Sequence, residues 1–187
     1  MRFRKYGWIP LALCVILTSR ARELSAQTQV ISLAAASLSS LSVVVTSGAV
    51  QNIPAVVDNA VNNFSSPVVI QTTWSVNPGQ TNTVDLVAYF SIPAQALVGG
   101  LTLIPSSRVE GQVATGIPTT FTAISQNAVG GVGTAGGSLH LFGVNISGAN
   151  KNSSRTDNLD LRLNLVGFPT LPAGSYAGVL NLRAVTQ

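Results

Sequence analysis

Apolar and polar residues alternate along most of the chain after residue 67, and this period of two predicts half-buried β-strands. The clearest case is residues 155–166, where leucines alternate with polar side chains. Residues 68–76, 83–92 and 175–185 repeat the pattern. The positions predicted to face inward are Leu159, Leu161, Leu163 and Leu165; Val68, Ile70, Trp74 and Val76; Val84, Leu86, Ala88, Phe90 and Ile92; and Tyr176, Leu180, Leu182 and Ala184.

Weaker strands are predicted at residues 101–104, 119–124 and 139–146, and the apolar phase of the last one slips at Gly143, where we expect a β-bulge. Turn residues recur about every ten positions, and no segment after residue 67 has a helical period. The pattern therefore predicts an all-β, antiparallel sandwich or barrel over residues 67–187.

Residues 27–66 give a mixed signal. Their first half is rich in Ala and Ser and fits either a helix or two short strands, with the alternation of Leu41, Val43 and Val45 favouring strands. Residues 55–64 fit a helical turn. Residues 27–66 are treated as an N-terminal segment of undetermined structure.

Residues 1–26 have the three-part layout of a secretory signal peptide: a basic start, an apolar run too short to span a bilayer, and a polar stretch ending at Ala26. We expect cleavage near Ala26 and a secreted or cell-surface location. A lipoprotein site at Cys14 is a weaker reading, because the bulky Leu13 precedes the cysteine.

Removing the signal peptide changes the charge of the chain. The mature part carries five basic and five acidic residues, so its net charge is zero, and no basic patch indicates a nucleic-acid partner. Cys14 is the only cysteine, so zinc–thiolate sites, iron–sulfur clusters and cysteine nucleophiles are excluded from the mature chain.

The glycines Gly131, Gly133 and Gly136 have the spacing of a dinucleotide-binding fingerprint, and Asp157 follows about twenty residues later. That fingerprint needs a helix after the glycines to receive the pyrophosphate. The residues that follow Gly137 instead predict a strand. The glycines are interpreted as a loop between strands, and Asp157 as turn chemistry.

Other catalytic or metal-binding groups are sparse. His140 is the single histidine, and no nucleophile elbow accompanies it. Asp157 and Asp160 stand beside Arg155 and Arg162, so local ion pairs explain them more simply than a calcium site that includes Asn158. No catalytic, cofactor-binding or metal-ligating residue is predicted, no cofactor is expected, and an enzyme is disfavoured.

Two aromatic residues are candidates for binding surfaces. Trp74 lies between Ile70 and Val76 on the inward face of a predicted strand, so a core position is favoured over a sugar-stacking platform. Tyr89 falls on the opposite face with Val87 and is a weak candidate for an exposed contact.

The segment Leu171-Pro172-Ala173-Gly174-Ser175-Tyr176 feeds the last alternating strand. This ending resembles the close of bacterial secreted pilin-like and spore-coat-U-like domains, over about twenty residues. The chain departs from classical pilins in lacking their cysteine pair. The resemblance implies an immunoglobulin-like β-sandwich, and residues 30–45 are the candidate for a strand that completes a neighbour's sheet.

From these observations we expect an exported, non-enzymatic structural or adhesion subunit, a pilin-like surface or fibre component. It would associate with itself or with other surface subunits by strand addition, and its few charges would leave edge strands unprotected. No stable membrane span is expected after signal cleavage. The alternative is a stand-alone secreted binding module, possibly for carbohydrate, which predicts exposed aromatic side chains on one sheet face.

Overall fold

The structure is a computed structural model, and it describes residues 40–79 and 81–187. Eleven strands are found in this part of the chain: β1 Ser40–Ser47, β2 Val61–Asn63, β3 Val68–Ser75, β4 Thr83–Tyr89, β5 Leu97–Gly99, β6 Thr102–Ile104, β7 Val109–Val113, β8 Thr122–Ala123, β9 Ser138–Asn145, β10 Asn152–Asn164 and β11 Asn181–Thr186. Two short 3-10 helices cover Pro93–Gln95 and Ser106–Arg108.

All strand pairs are antiparallel, and they form two main sheets and a hairpin. Sheet A has the order β1-β3-β10-β7-β8, with β2 also paired to β10. Sheet B has the order β11-β4-β9, and β5 pairs with β6. The predicted all-β, antiparallel class is therefore confirmed.

The two sheets share one hydrophobic core, as expected for a β-sandwich. Trp74 of sheet A and Phe142 of sheet B meet in it with ring centroids 6.5 Å apart. Leu159, Leu161 and Leu163 of β10 are buried, and so is Leu165 directly after it, as their alternation predicts. Burial of such side chains is the main force that holds the sheets together.

The predicted inward face of β4 is correct from Val84 to Phe90, but the prediction for Ile92 is wrong. Strand β4 ends at Tyr89, and Ile92 is 56% exposed. The other face of β4 is also covered, since Asp85 and Val87 are buried. As the central strand of sheet B, β4 is buried on both faces, which alternation alone does not reveal.

The bulge in β9 is present, but it lies at Leu141 and not at Gly143. Leu86 of β4 pairs with Phe142 and the next residue, Val87, pairs with His140, so Leu141 is the extra residue. This insertion lets both Leu141 and Phe142 point into the core, where both are buried.

Strand β7 was not predicted, because Gly111 stands at its central inward position and hides the alternation of Val109 and Val113. A Cβ on Gly111 would lie 2.7 Å from Leu139 Cδ2, so the close packing of the sheets here requires glycine. The last strand, β11, is shorter than predicted and begins only at Asn181.

Within residues 27–66, the structure describes the portion from Ser40 onward. Here β1 includes the alternating Leu41, Val43 and Val45 and forms the edge of sheet A beside β3. Residues 55–64 form a turn and then β2, rather than a helical turn. The signal peptide and residues 30–39 of the proposed donor segment lie outside the described residues.

The strands define two poles of the sandwich. At the entry pole, β1 begins beside the end of β3 and the start of β10, with Ser40 opposite Ser75 and Ser75 opposite Asn152. At the opposite end, called the groove pole below, β1 finishes at Ser47, β4 finishes at Tyr89 and β11 begins at Asn181.

Candidate functional site

The groove pole contains a cavity of about 720 Å³ that reaches between the two sheets. Nearer to the entry pole, β1 of sheet A and β11 of sheet B lie against one another and close the side of the sandwich. At the groove pole β1 has already ended and β11 has not begun. The cavity therefore lies beyond the ends of β1 and β11, between irregular segments of the chain, and we call it the groove.

The floor of the groove is the hydrophobic core itself. Side chains from both sheets and from the β5–β6 hairpin reach it, and those that are buried include Val68, Phe90, Ile104, Val109, Leu161, Leu163 and Leu182. An apolar occupant would therefore contact residues that already belong to the folding core.

Two irregular segments form the walls, residues 48–58 and 171–180. The first leaves β1 through Gly48, whose φ of 71° lies in the left-handed region and whose backbone approaches the carbonyl of Pro67 closely. The two walls are joined by a hydrogen bond in which the Leu171 amide donates to Asp58 Oδ1 at 3.2 Å. The groove thus has defined walls on both sides.

Tyr176 fixes the second wall. Its hydroxyl donates to the Pro172 carbonyl at 2.9 Å, which closes the Leu-Pro-Ala-Gly-Ser-Tyr turn. Its ring packs against Gly99 of the hairpin, where a Cβ would lie 2.6 Å from ring atoms. The segment that carries the sequence resemblance therefore shapes the groove.

One polar atom in the wall lacks a partner. Gln51 Nε2 donates to the Gly48 carbonyl at 2.7 Å, whereas Gln51 Oε1 is buried and accepts no hydrogen bond. An unsatisfied buried acceptor is costly, so this wall segment carries a local energetic penalty.

The single histidine belongs to a different region, the outer face of sheet B. His140 Nε2 lies 2.8 Å from Asp85 Oδ1, while Thr83 Oγ1 and Gln187 Nε2 donate to Asp85 Oδ2 at 2.9 and 3.0 Å. In residues 40–79 and 81–187 no hydroxyl is hydrogen-bonded to the imidazole. The Thr83 hydroxyl bonds the carboxylate instead, so the geometry is that of a structural cluster and not of a nucleophile–base pair.

The glycine-rich stretch is a loop, and the residues after it form β9, so it does not lead into a helix. Gly130, Gly131, Gly133 and Gly136 all have positive φ values, as tight turns require. The loop folds over the outer face of sheet B, where Gly130 lies against the Gln187 side chain.

The acidic residues of β10 do not converge on a cation. The prediction that Asp157 belongs to a turn is wrong: it lies within β10, its side chain is fully buried, and it pairs with Arg155 at 2.7 Å. Arg162 pairs with Glu110 at 2.5 Å rather than with Asp160. No cluster of three or more His, Cys, Asp or Glu residues is found among the described residues.

The aromatic residues are used for packing. Trp74 is 4% exposed and its Nε1 donates to the Asn150 carbonyl at 2.9 Å, so the predicted core position is confirmed. Tyr89 is half-buried. Within the described part of the chain every Trp, Tyr and Phe side chain is buried or half-buried, so an aromatic platform for sugar stacking is not seen there.

Comparison with known proteins gives no relative: no family model, no curated protein and no solved structure matches the chain. In the part of the chain that the structure describes, no helix has the length and apolar character needed to cross a membrane.

Proposed function

We propose that this protein is an exported, non-enzymatic structural or adhesion subunit, with a pilin-like, immunoglobulin-like sandwich that assembles by strand addition at the groove. The observation that carries this proposal is the open sandwich edge at the groove pole, where core side chains line a cavity of about 720 Å³. An extended apolar segment placed there would cover these core side chains.

The segment that precedes β1 has a suitable composition. Residues 27–39 (QTQVISLAAASLS) contain no charged residue and include Val30, Ile31, Leu33 and Leu38. Apolar side chains at such positions match a groove whose floor is the hydrophobic core. Ser and Ala between them have little bulk to hinder insertion.

The direction of β1 favours insertion into a neighbouring copy. The chain enters β1 at the entry pole, and the groove begins only after β1 has crossed the sandwich, a distance of about 26 Å for its eight residues. Thirteen extended residues span about 43 Å. To reach the groove of its own chain, this segment would have to run back along the whole length of β1, which would take most of residues 27–39. The groove of a neighbouring copy does not require this return.

Such a contact joins two different surfaces and is heterologous, so successive copies would form an open-ended fibre. The nearly uncharged edges fit this role, since Lys and Glu residues that normally protect edge strands are scarce. The sequence of residues 1–26 supports export as part of the same proposal.

The test is the mass in solution of residues 27–187 by light scattering, with negative-stain images of the same sample. We expect ordered polymers from the parent and none from an Ile31→Asp/Leu33→Asp variant. A Gln29→Asp control adds a charge outside the apolar positions and should still polymerise. A parent that stays monomeric at every concentration would contradict the proposal.

The second candidate function, a stand-alone secreted binding module, is supported by the size of the groove, which lies in the range of small-ligand sites. Its lining favours an apolar ligand over a carbohydrate. The test uses a polarity-sensitive fluorescent probe. Binding of the probe to the Ile31→Asp/Leu33→Asp variant, together with unchanged assembly of the parent when the probe is present, would favour this function.

A further inference from the structure

The two edges of sheet B differ in how they are covered. At the β9 edge, Ser138 and Gln126 exchange backbone hydrogen bonds, with Gln126 N donating at 2.7 Å and Ser138 N at 3.2 Å. His140 N donates to Gln126 Oε1 at 2.8 Å, and Ile117 N donates to the Leu141 carbonyl at 2.7 Å. The chain between β7 and β9 therefore closes this edge.

The other edge of sheet B, formed by β11, is free. Gln187 and Thr83 exchange two backbone hydrogen bonds, at 3.1 and 3.0 Å, and so form a hydrogen-bonded pair. In an antiparallel ladder the backbone groups of every second residue face the partner strand, and those of the residues between face away. The residues of β11 that face away from β4 are Leu182, Ala184 and Thr186. In the part of the chain that the structure describes, their N–H and C=O groups have no hydrogen-bond partner.

The free edge of β11 extends into the second wall of the groove. Before β11, residues 175–180 alternate between exposed and half-buried positions, as an edge strand does. Leu180 packs against the core, and its backbone has no hydrogen-bond partner among the described residues. Leu180 and Leu182 both line the groove, whereas no residue of β1 does. Because β1 lies against β11 nearer to the entry pole, the accessible part of the edge is at the groove.

The first wall offers fewer backbone groups for pairing. Pro54 has no N–H to donate. The Asn52 carbonyl already accepts from Ser65 N at 3.0 Å. Val57 N donates to Asn62 Oδ1 at 2.7 Å, and the Val57 carbonyl accepts from Asn62 Nδ2 at 3.0 Å. A peptide in the groove therefore finds its regular pairing edge on the second wall.

We propose that residues 27–39 of a neighbouring copy bind as a strand along the free edge of β11 and become the fourth strand of sheet B. This inference rests on the proposed function, in which these residues fill the groove. It adds their backbone partner, because alternate N–H and C=O groups of the incoming segment pair with those of Leu180 and Leu182. Sheet B has three strands and sheet A has six, so the smaller sheet is the one that is extended.

The sequence of the segment fits this placement. Successive side chains of a strand point to opposite faces, so Ile31 and Leu33 share one face. That face lies over the groove floor, where Phe90 and Leu163 offer apolar contacts. The segment has no charged side chain that binding would remove from water. Pairing with alternate backbone groups of β11 distinguishes a peptide occupant from an apolar small molecule, which could fill only the floor.

The experiment follows amide hydrogen exchange by NMR in residues 27–187 carrying Ile31→Asp/Leu33→Asp, with a synthetic peptide of residues 27–39 as the probe. We expect the peptide to slow exchange at Leu180 and Leu182 by at least about tenfold, because their N–H groups gain a partner. Arg183 is the internal control, since its N–H faces β4 with or without the peptide. A peptide with the same two Asp substitutions should leave all of these rates unchanged.

Binding of the peptide with unchanged exchange at Leu180 and Leu182 would overturn the inference, and slowed exchange at residues 50–53 instead would assign the pairing to the first wall. A parent that polymerises while the peptide protects no amide of β11 would overturn the inference and leave the proposed function standing. Slowed exchange at both leucines, with a parent that stays monomeric, would confirm the pairing edge and contradict the polymeric assembly. A peptide that does not bind and a parent that stays monomeric would overturn both.

Discussion

The ring of Tyr176 lies directly on the backbone of Gly99, so close that a Cβ at residue 99 would be 2.6 Å from two ring atoms. This contact joins the turn before β11 to the β5–β6 hairpin and holds one wall of the groove. A residue from the C-terminal motif therefore positions a hairpin more than seventy residues earlier in the chain.

Gly99→Ala should lower the free energy of unfolding by about 1–3 kcal/mol, because the added methyl group must displace the Tyr176 ring or the hairpin. Denaturant unfolding followed by tryptophan fluorescence measures this. Gly174→Ala is the matched control, since nothing lies within 4 Å of its Cβ position, and its effect should stay within about 0.5 kcal/mol. Equal effects of the two substitutions would contradict the packing described.

Asp157→Ala should destabilise the fold by about 2–4 kcal/mol, since it leaves Arg155 without its partner in a largely buried place. Arg155 also lies over the Phe142 ring, 4.8 Å from the centroid, so the change affects the contact between the sheets. Thr156→Ala, at the exposed neighbouring position, is the control and should be nearly neutral. Equal free energies of unfolding for these two variants, measured by chemical denaturation, would show that the ion pair does not stabilise the fold.

Asp85→Ala should cost about 1–3 kcal/mol, because Thr83, His140 and Gln187 all lose a hydrogen bond to its carboxylate. The loss should be local as well: amide exchange should speed up at Gln187, whose N–H donates to the Thr83 carbonyl at 3.1 Å. Asp160→Ala serves as the control for the removal of a carboxylate. Unchanged exchange at the end of β11 would refute an anchoring role for the cluster.

The strands with a clear alternation could be predicted from the sequence, and those whose pattern depends on neighbours could not. The second half of β10 follows from its leucines, whereas the strand begins at Asn152, before the predicted start at residue 155. Strand β7 has no clear alternation, because Gly111 stands where the facing sheet comes close. The outward position of Ile92 is not predictable either, because the 3-10 helix that follows sets the end of β4.

The groove could not be predicted, because it arises from where two edge strands end. Strand β1 ends at Ser47 and β11 begins at Asn181, and the distance between these two points depends on how sheets A and B pack. No local sequence pattern predicts that distance. The available signal was compositional: Pro54, Pro172 and Gly174 interrupt both wall segments. The Asp85–His140 contact joins residues on neighbouring strands that are 55 positions apart, and it too had no sequence signature.

The most direct test of strand addition is a mixed cross-linking experiment, and residues 27–187 contain no cysteine that would interfere with it. One preparation of residues 27–187 carries Ile31→Cys and a second carries Val56→Cys in the groove wall, with Val44→Cys on the outer face of β1 as the control partner. We predict that oxidation of the mixture of Ile31→Cys and Val56→Cys gives mainly heterodimers of the two variants. A chain that carries both substitutions should give a ladder of covalent multimers. Cross-linking confined within single chains, or equal yields with the Val44→Cys partner, would contradict assembly through the groove.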